Sequence, residues 1–275
     1  MEKIILVISG DKPAPNVLDF ACQLAGITRA RLTGFFFQSQ PIQNTQLYGL
    51  PFADAFANTD QPEQELYQHK LDALLESFRH TCSEKGIPAS VHHTESGVLE
   101  ALVNESRFAD LIVADAATAA LDGNDVPSSF MKQLLTEAKC PVIVAPAAPM
   151  LIEEIVFCYD GSPSSILAMK QFSYLLPELE DKKASAVQVK KDDDMPDEER
   201  RHITHWLSNH YIYSGFTVIK GSHAGDELFT YLLKKPNAIV VMGAYGRNLL
   251  SMFLRRSQAD LLIQSLAYPV FIAHV

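Results

Sequence analysis

The sequence predicts an α/β fold of two tandem doubly wound domains, each built on a five-stranded parallel sheet, the two related by a pseudo-twofold axis. Three observations carry this expectation. Short runs rich in Val and Ile alternate with longer stretches whose apolar residues recur at spacings of three and four, as strands covered by helices on both faces require. The runs of the first half recur in the second: EKIILVISGD (Glu2–Asp11) corresponds to EEIVFCYDGS (Glu153–Ser162), DLIVADAA (Asp110–Ala117) to NAIVVMGA (Asn237–Ala244), and CPVIVAPA (Cys140–Ala147) to YPVFIAHV (Tyr268–Val275). The length of 275 residues accommodates two units of ordinary domain size, placed at 1–148 and 149–275.

In chain order, the first half is expected to hold strands at about Lys3–Ile8, Arg31–Gln38, Ala89–Thr94, Leu111–Ala114 and Val142–Ala145. Helical periodicity lies between them, in PNVLDFACQLAG after the first strand and SSFMKQLLTEAK before the last. A long helix from about Gln61 to Lys85 stops at Gly86 and Pro88. Before it stands the polar insertion Ser39–Asp60, which reads as a surface cover packing Tyr48, Phe52 and Phe56 on the body. The second half is expected to hold strands near Ile155–Tyr159, Ala184–Val189, Thr217–Lys220, Ala238–Met242 and Val270–His274. SSILAMKQFSYLL and SQADLLIQSLA are its helical counterparts, and the charged KKDDDMPDEERR is a solvated turn entering a helix.

Composition narrows the function classes. A net charge of -10 disfavours a counterion-release grip on nucleic acid. The N-terminal MEKIILVISGDKP reads as a first strand rather than a secretory signal, and no apolar run approaches the ~18 residues of a membrane span, so a cytoplasmic protein is expected. Cys22, Cys82, Cys140 and Cys158 are scattered, form no CxxC pair, and are expected to be reduced and buried. His92 and His93 would point to opposite faces of a strand, and His202 and His205 share a helix face without a further ligand, so no metal site is expected. SGDKP (Ser9–Pro13) lacks the second Gly and the downstream Ser of an ATP pyrophosphatase loop. No nucleophile, base or carboxylate pair assembles into a catalytic set.

The site candidates stand at strand ends. In a doubly wound sheet, ligands bind outside the carboxyl ends of the strands, where connections diverge to opposite faces. Asp160, Gly161 and Ser162 end the first strand of the second half, and Gly243 and Gly246 follow its fourth. Small residues let backbone approach a phosphate, free N–H groups at a helix start meet its charge, and Asp160 can accept from a base or ribose. Asp160 and Ser162 are equally suited to capping the helix that follows.

An Asp ending strand one, with a Gly-x2-Gly loop after strand four and a Ser opening the next helix, resembles the universal stress protein family over nearly the whole chain. In its ATP-binding members the loop reads Gly, two residues, Gly, nine residues, Gly, then Ser or Thr. Here Gly243, Gly246 and Ser257 match, Asp160 matches the nucleoside-associated Asp, and Arg256 replaces the third glycine. Arg255 and Arg256 either donate to the phosphates, block their position or stand solvated on the helix entry, and Arg247 is a third candidate cation at the same mouth. The resemblance implies an adenine nucleotide alpha hydrolase-like fold and a stress-response binding or signalling module, with ATP or another adenine nucleotide, with Mg2+, in the second domain. The alternative is a nucleotide-free interaction protein of the same fold, and any ATP hydrolysis would be slow. The first half has Ser9 in place of Asp160 and ADAATAALDG in place of the glycine loop, keeping only Ser128 and Ser129 as a helix start. Pairing of family members through their last strands implies that PVIVAPA and PVFIAHV join the halves within one chain; a homodimer of the whole chain is a further partner the resemblance allows.

Overall fold

KIILVIS forms β1 (Lys3–Ser9), whose side chains alternate between two cores: Ile4, Leu6 and Ile8 face one side of the sheet, Ile5 and Val7 the other. Burial on both faces is the reason the strand reads as one continuous apolar run. The computed structural model describes residues 1–10, 15–37, 61–119, 128–146, 148–191, 195–243 and 268–273.

After β1 come α1 (Pro15–Thr28), β2 (Arg31–Phe37), α2 (Gln61–Glu84), β3 (Ala89–His93), α3 (Val98–Ser106), β4 (Leu111–Ala114), α4 (Ser129–Glu137) and β5 (Val142–Val144). The second half repeats the order with β6 (Glu154–Cys158), α5 (Pro163–Leu175), β7 (Lys183–Lys190), α6 (Asp197–His210), β8 (Tyr213–Lys220), α7 (Ala224–Leu232), β9 (Ala238–Gly243) and β10 (Val270–Ala273). The insertion Ser39–Asp60, with Tyr48, Phe52 and Phe56, and the SQADLLIQSLA segment lie outside the described residues.

All the described strands join one ten-stranded sheet in the order β3-β2-β1-β4-β5-β10-β9-β6-β7-β8. Read outward from its centre, each half has the same order, fifth, fourth, first, second, third strand. Every neighbouring pair is parallel except β5 and β10, which run antiparallel with Val144 opposite Val270, Ile143 opposite Phe271 and Val142 opposite Ile272. An antiparallel junction at the middle of two parallel halves is what a pseudo-twofold relation demands, and it is the pairing expected of the two terminal strands. It also buries two strand edges that would otherwise present unpaired backbone. Phe271 is fully buried there and meets Phe172 edge-on at 5.2 Å between ring centres.

The helices sort by face. α1, α2, α5 and α6 supply Phe20, Phe78, Phe172 and Leu207 to one core, and α3, α4 and α7 supply Leu102, Leu134 and Leu228 to the other. β8 begins at Tyr213, four residues before the expected Thr217, because it is an edge strand: Tyr213 and Ser214 are exposed, so its first residues carry no apolar signal. All four cysteines are free and buried, as expected.

Candidate functional site

β6 pairs with β7 on one side and β9 on the other, so the connections from β6 and β9 leave in opposite directions and a crevice opens beyond their carboxyl ends. The crevice is lined by Cys158, Tyr159, Asp160, Ser164 and Ser165 from β6 and α5, by Met242 and Gly243 from β9, and by Val189, Ala224 and Leu228. Its walls are mostly apolar, with Asp160 and the α5 serines at one end.

The first turn of α5 explains why DGSPSS stands here. The Ser162 N–H donates to Asp160 Oδ1 at 2.9 Å, closing a local turn. Between them Gly161 has φ 81°, in the left-handed region that a Cβ disfavours. Ser162 is the N-cap: its Oγ accepts from the Ser165 N–H at 3.2 Å, and Pro163 takes the first helical position, where its missing N–H costs nothing. Gly10 repeats the left-handed turn in the first half with φ 82°. The capping foreseen for both residues is therefore performed by Ser162, while Asp160 closes the turn ahead of the cap. Burial pushes the Asp160 carboxyl pKa up, but the hydrogen bonds from Ser162 and Ser165 outweigh it and hold the group below its ordinary value. It is a carboxylate at neutral pH, able to accept further donors.

Gly243 has a different reason from the one its position suggests. A Cβ built on it would lie 2.6 Å from both the carbonyl carbon and the oxygen of Ser164 and 2.8 Å from Ser164 Oγ. The end of β9 is thus pressed against the first turn of α5, and glycine is what the packing accepts. Gly246, Arg247, Arg256 and Ser257, with Arg255, lie outside the described residues.

Neighbouring groups fix the floor. Burial, with the Asp160 carboxylate nearby, pushes the Cys158 thiol up to about 12, so it stays protonated and is no nucleophile. The Tyr159 hydroxyl donates to Glu199 Oε1 of α6 at 2.5 Å, and burial with that bond pushes its pKa up. Arg200, one residue on, lies over the Phe216 ring of β8 at 5.5 Å, so α6 is fastened to the strands beside the crevice. Val189, Ala224 and Leu228 were not foreseen as lining residues. Val189 is the penultimate residue of β7, the strand next to β6, and the switch-point rule carried one strand further points to it.

In the first half the helix after β4 is closed by its own side chain. Ser128, fully buried, donates to the Thr118 carbonyl and accepts from the Met131 N–H at 3.1 Å. Its hydroxyl is consumed internally, which fits the absence of a Gly-x2-Gly spacing from ADAATAALDG. His92 lies on β3 with Nδ1 2.7 Å from Glu105 Oε2 and its ring over Phe35, a packed position. His202 and His205 fall on α6, and among the described residues no group of three metal-ligating side chains assembles. No described helix is long and apolar enough to cross a membrane.

No protein-family model and no curated protein matches this sequence. Among solved structures it is similar to a universal stress protein from Archaeoglobus fulgidus DSM 4304, at 14% identity and TM-score 0.66, with 98% of each chain covered. A Pseudomonas aeruginosa UCBPP-PA14 chain, assigned provisionally by its name to the universal stress proteins, matches at 16% identity and TM-score 0.58, covering 100% of this chain and 93% of its own. A functionally unknown protein from Pseudomonas aeruginosa PAO1 gives 16% and 0.57, with 100% and 92% covered. The class is thereby set at the level of fold: the chain has the α/β architecture of the universal stress proteins, carried through its whole length with two repeats of the strand order in one sheet.

Proposed function

We propose that the chain is a tandem universal stress protein, a stress-response binding or signalling module of two domains, 1–148 and 149–275, whose second domain binds an adenine nucleotide in the β6/β9 crevice. The observation that carries this reading is the crevice itself. It lies at the switch point of the sheet, walled by Val189, Leu228 and Met242 and bearing the Asp160 carboxylate at its mouth. An apolar slot with one placed acceptor suits a flat base and the hydroxyls of a ribose. The reading assigns the described lining to the nucleoside half of the ligand; Gly246, Arg247, Arg256 and Ser257 would meet the phosphates. Mg2+ enters with the triphosphate, since a small hard cation is held largely by phosphate oxygens and water. With the Cys158 thiol protonated, the described lining offers no thiolate, and binding is the role assigned.

The test is titration calorimetry of AMP and of ATP with Mg2+ into wild type, Asp160→Asn and Ala224→Trp. Ala224 sits exposed at the rim, so an indole there can fill the slot without disturbing a core residue. Submillimolar binding that Ala224→Trp abolishes and Asp160→Asn weakens supports the reading. Absence of heat at millimolar nucleotide, in folded protein free of copurified ligand, favours the nucleotide-free interaction protein, for which the self-capped α5 needs no anion.

A further inference from the structure

Away from the crevice, the sheet ends in the second half at β8, whose outer edge pairs with no strand among the described residues. β8 runs for 8 residues, YSGFTVIK, as long as its neighbour β7 and in unbroken register with it. A free edge of this length is a template for another strand, and proteins that keep such an edge single blunt it with charge, Pro or a bulge. β8 has no Pro and no bulge, and its one charged residue, Lys220, stands at its end. The opposite edge, β3, has 5 residues and ends in two histidines. At the start of β8 the large apolar residues Ile212 and Tyr213 are 67% and 65% exposed.

The register shows which backbone groups point outward. Lys190 of β7 pairs with Lys220, and the Gly221 N–H donates to the Lys190 carbonyl at 2.9 Å. Bonding residues alternate along a ladder, so Tyr213, Gly215, Thr217 and Ile219 turn their backbone to β7, while Ser214, Phe216, Val218 and Lys220 turn theirs outward. Those four are placed symmetrically about Thr217. A second β8 laid antiparallel, with its own Thr217 opposite this one, sets Ser214 against Lys220 and Phe216 against Val218. Every outward N–H and C=O then has a partner.

Side chains and charge agree with that register. Phe216 and Val218 are partly buried against the α6 side of the core, and an aromatic residue opposite a β-branched one is a favourable cross-strand pair. Gly215, where a Cβ would meet nothing within 4 Å, leaves room for the partner's Ile219. Exposed Lys220 is carried toward the partner's amino-terminal end of β8, where exposed Glu180 accepts through its carbonyl from the Ile212 N–H at 3.0 Å. The lysines at that end, Lys182 and Lys183, already face Asp181 and Glu154 at 2.9 and 3.8 Å. The chain makes the same kind of antiparallel join within itself at β5 and β10.

We propose that two copies of the chain associate through β8, antiparallel and centred on Thr217, so that one sheet continues across the dimer. Sedimentation velocity of the full chain across micromolar concentrations tests this, beside three variants at exposed positions of β8. The wild type should sediment as a species of twice the chain mass. Thr217→Lys sets like charges opposite each other at the axis and should raise the dimer dissociation constant roughly tenfold or more, with an unchanged circular dichroism spectrum. Thr217→Cys should give a disulfide-linked dimer on mild oxidation, because opposed residues outside the hydrogen-bonded pairs have Cα atoms about 4.5 Å apart, within disulfide reach. Ser214→Cys, opposite Lys220, should not link. The four native cysteines are buried, and the crosslink does not depend on how the lysine variant folds. A monomer at every concentration, a dimer that Thr217→Lys leaves equally tight, or linkage of Ser214→Cys as readily as Thr217→Cys would overturn the proposal.

Discussion

Gly243→Ala is the substitution with the most closely defined consequence. The added methyl carbon would start 2.6 Å from two backbone atoms of Ser164, where ordinary contact begins near 3.4 Å, so α5 and the end of β9 must part by roughly 0.8 Å. The obstruction is backbone, which no rotamer change relieves. Overpacking of this kind costs roughly 1–3 kcal/mol, and a backbone clash belongs at the upper end, about 3 kcal/mol. For a chain of this size that corresponds to a melting temperature lower by about 6 °C or more. Thermal denaturation followed by circular dichroism measures it, beside Gly215→Ala on β8, where a Cβ meets nothing within 4 Å and the expected change is within ~0.5 kcal/mol. If Gly243→Ala melts within about 1 °C of wild type, the account of Gly243 as a packing glycine is wrong, and close approach of a ligand becomes the better reason for it. A loss of nucleotide affinity in Gly243 variants is accordingly no proof of direct contact unless stability is measured alongside.

The β5–β10 junction makes a second prediction: Phe271→Ala, which empties a fully buried ring site against Phe172, should cost about 3–5 kcal/mol in urea denaturation. Ser128→Ala removes the α4 cap and orphans the buried Met131 N–H, so a loss of about 1–3 kcal/mol is expected by the same assay. Asp160 makes a prediction in pH. Its pKa is lowered on folding, so the stability it contributes is complete above the unfolded value of about 4 and is lost as pH falls through the folded value. Any advantage of wild type over Asp160→Asn, followed by melting temperature, should therefore be constant above about pH 5 and shrink below pH 4; a difference that grows in acid contradicts the assigned charge state.

Much of the architecture was legible because burial on both faces writes long apolar runs into the strands, and because the halves repeat those runs in the same order. The junction was legible for the same reason: two matching terminal strands, Val142–Val144 and Val270–Ala273, each need an edge partner, and each supplies the other's. β8 was read short because Tyr213, Ser214 and Gly215 form an edge, where sheet hydrogen bonds persist without apolar side chains. At the site, Asp160, Gly161 and Ser162 were singled out by their place at the end of a strand, and of the three Asp160 lines the crevice while Gly161 and Ser162 shape the turn and cap beside it. The walls were not, since Val189, Ala224 and Leu228 become neighbours of Asp160 only through the strand order. Gly243 shows the limit most clearly. A glycine after a strand looks the same in sequence whether the atom approaching it belongs to a phosphate or to Ser164.

The most direct measurement is a crystal structure of the full chain grown with millimolar AMP or ATP and Mg2+. The account predicts the nucleoside between Val189, Leu228 and Met242, with the Asp160 carboxylate within hydrogen-bond distance of a base or ribose donor. Nucleotide bound elsewhere, or an empty β6/β9 crevice in crystals grown at that concentration, would contradict it.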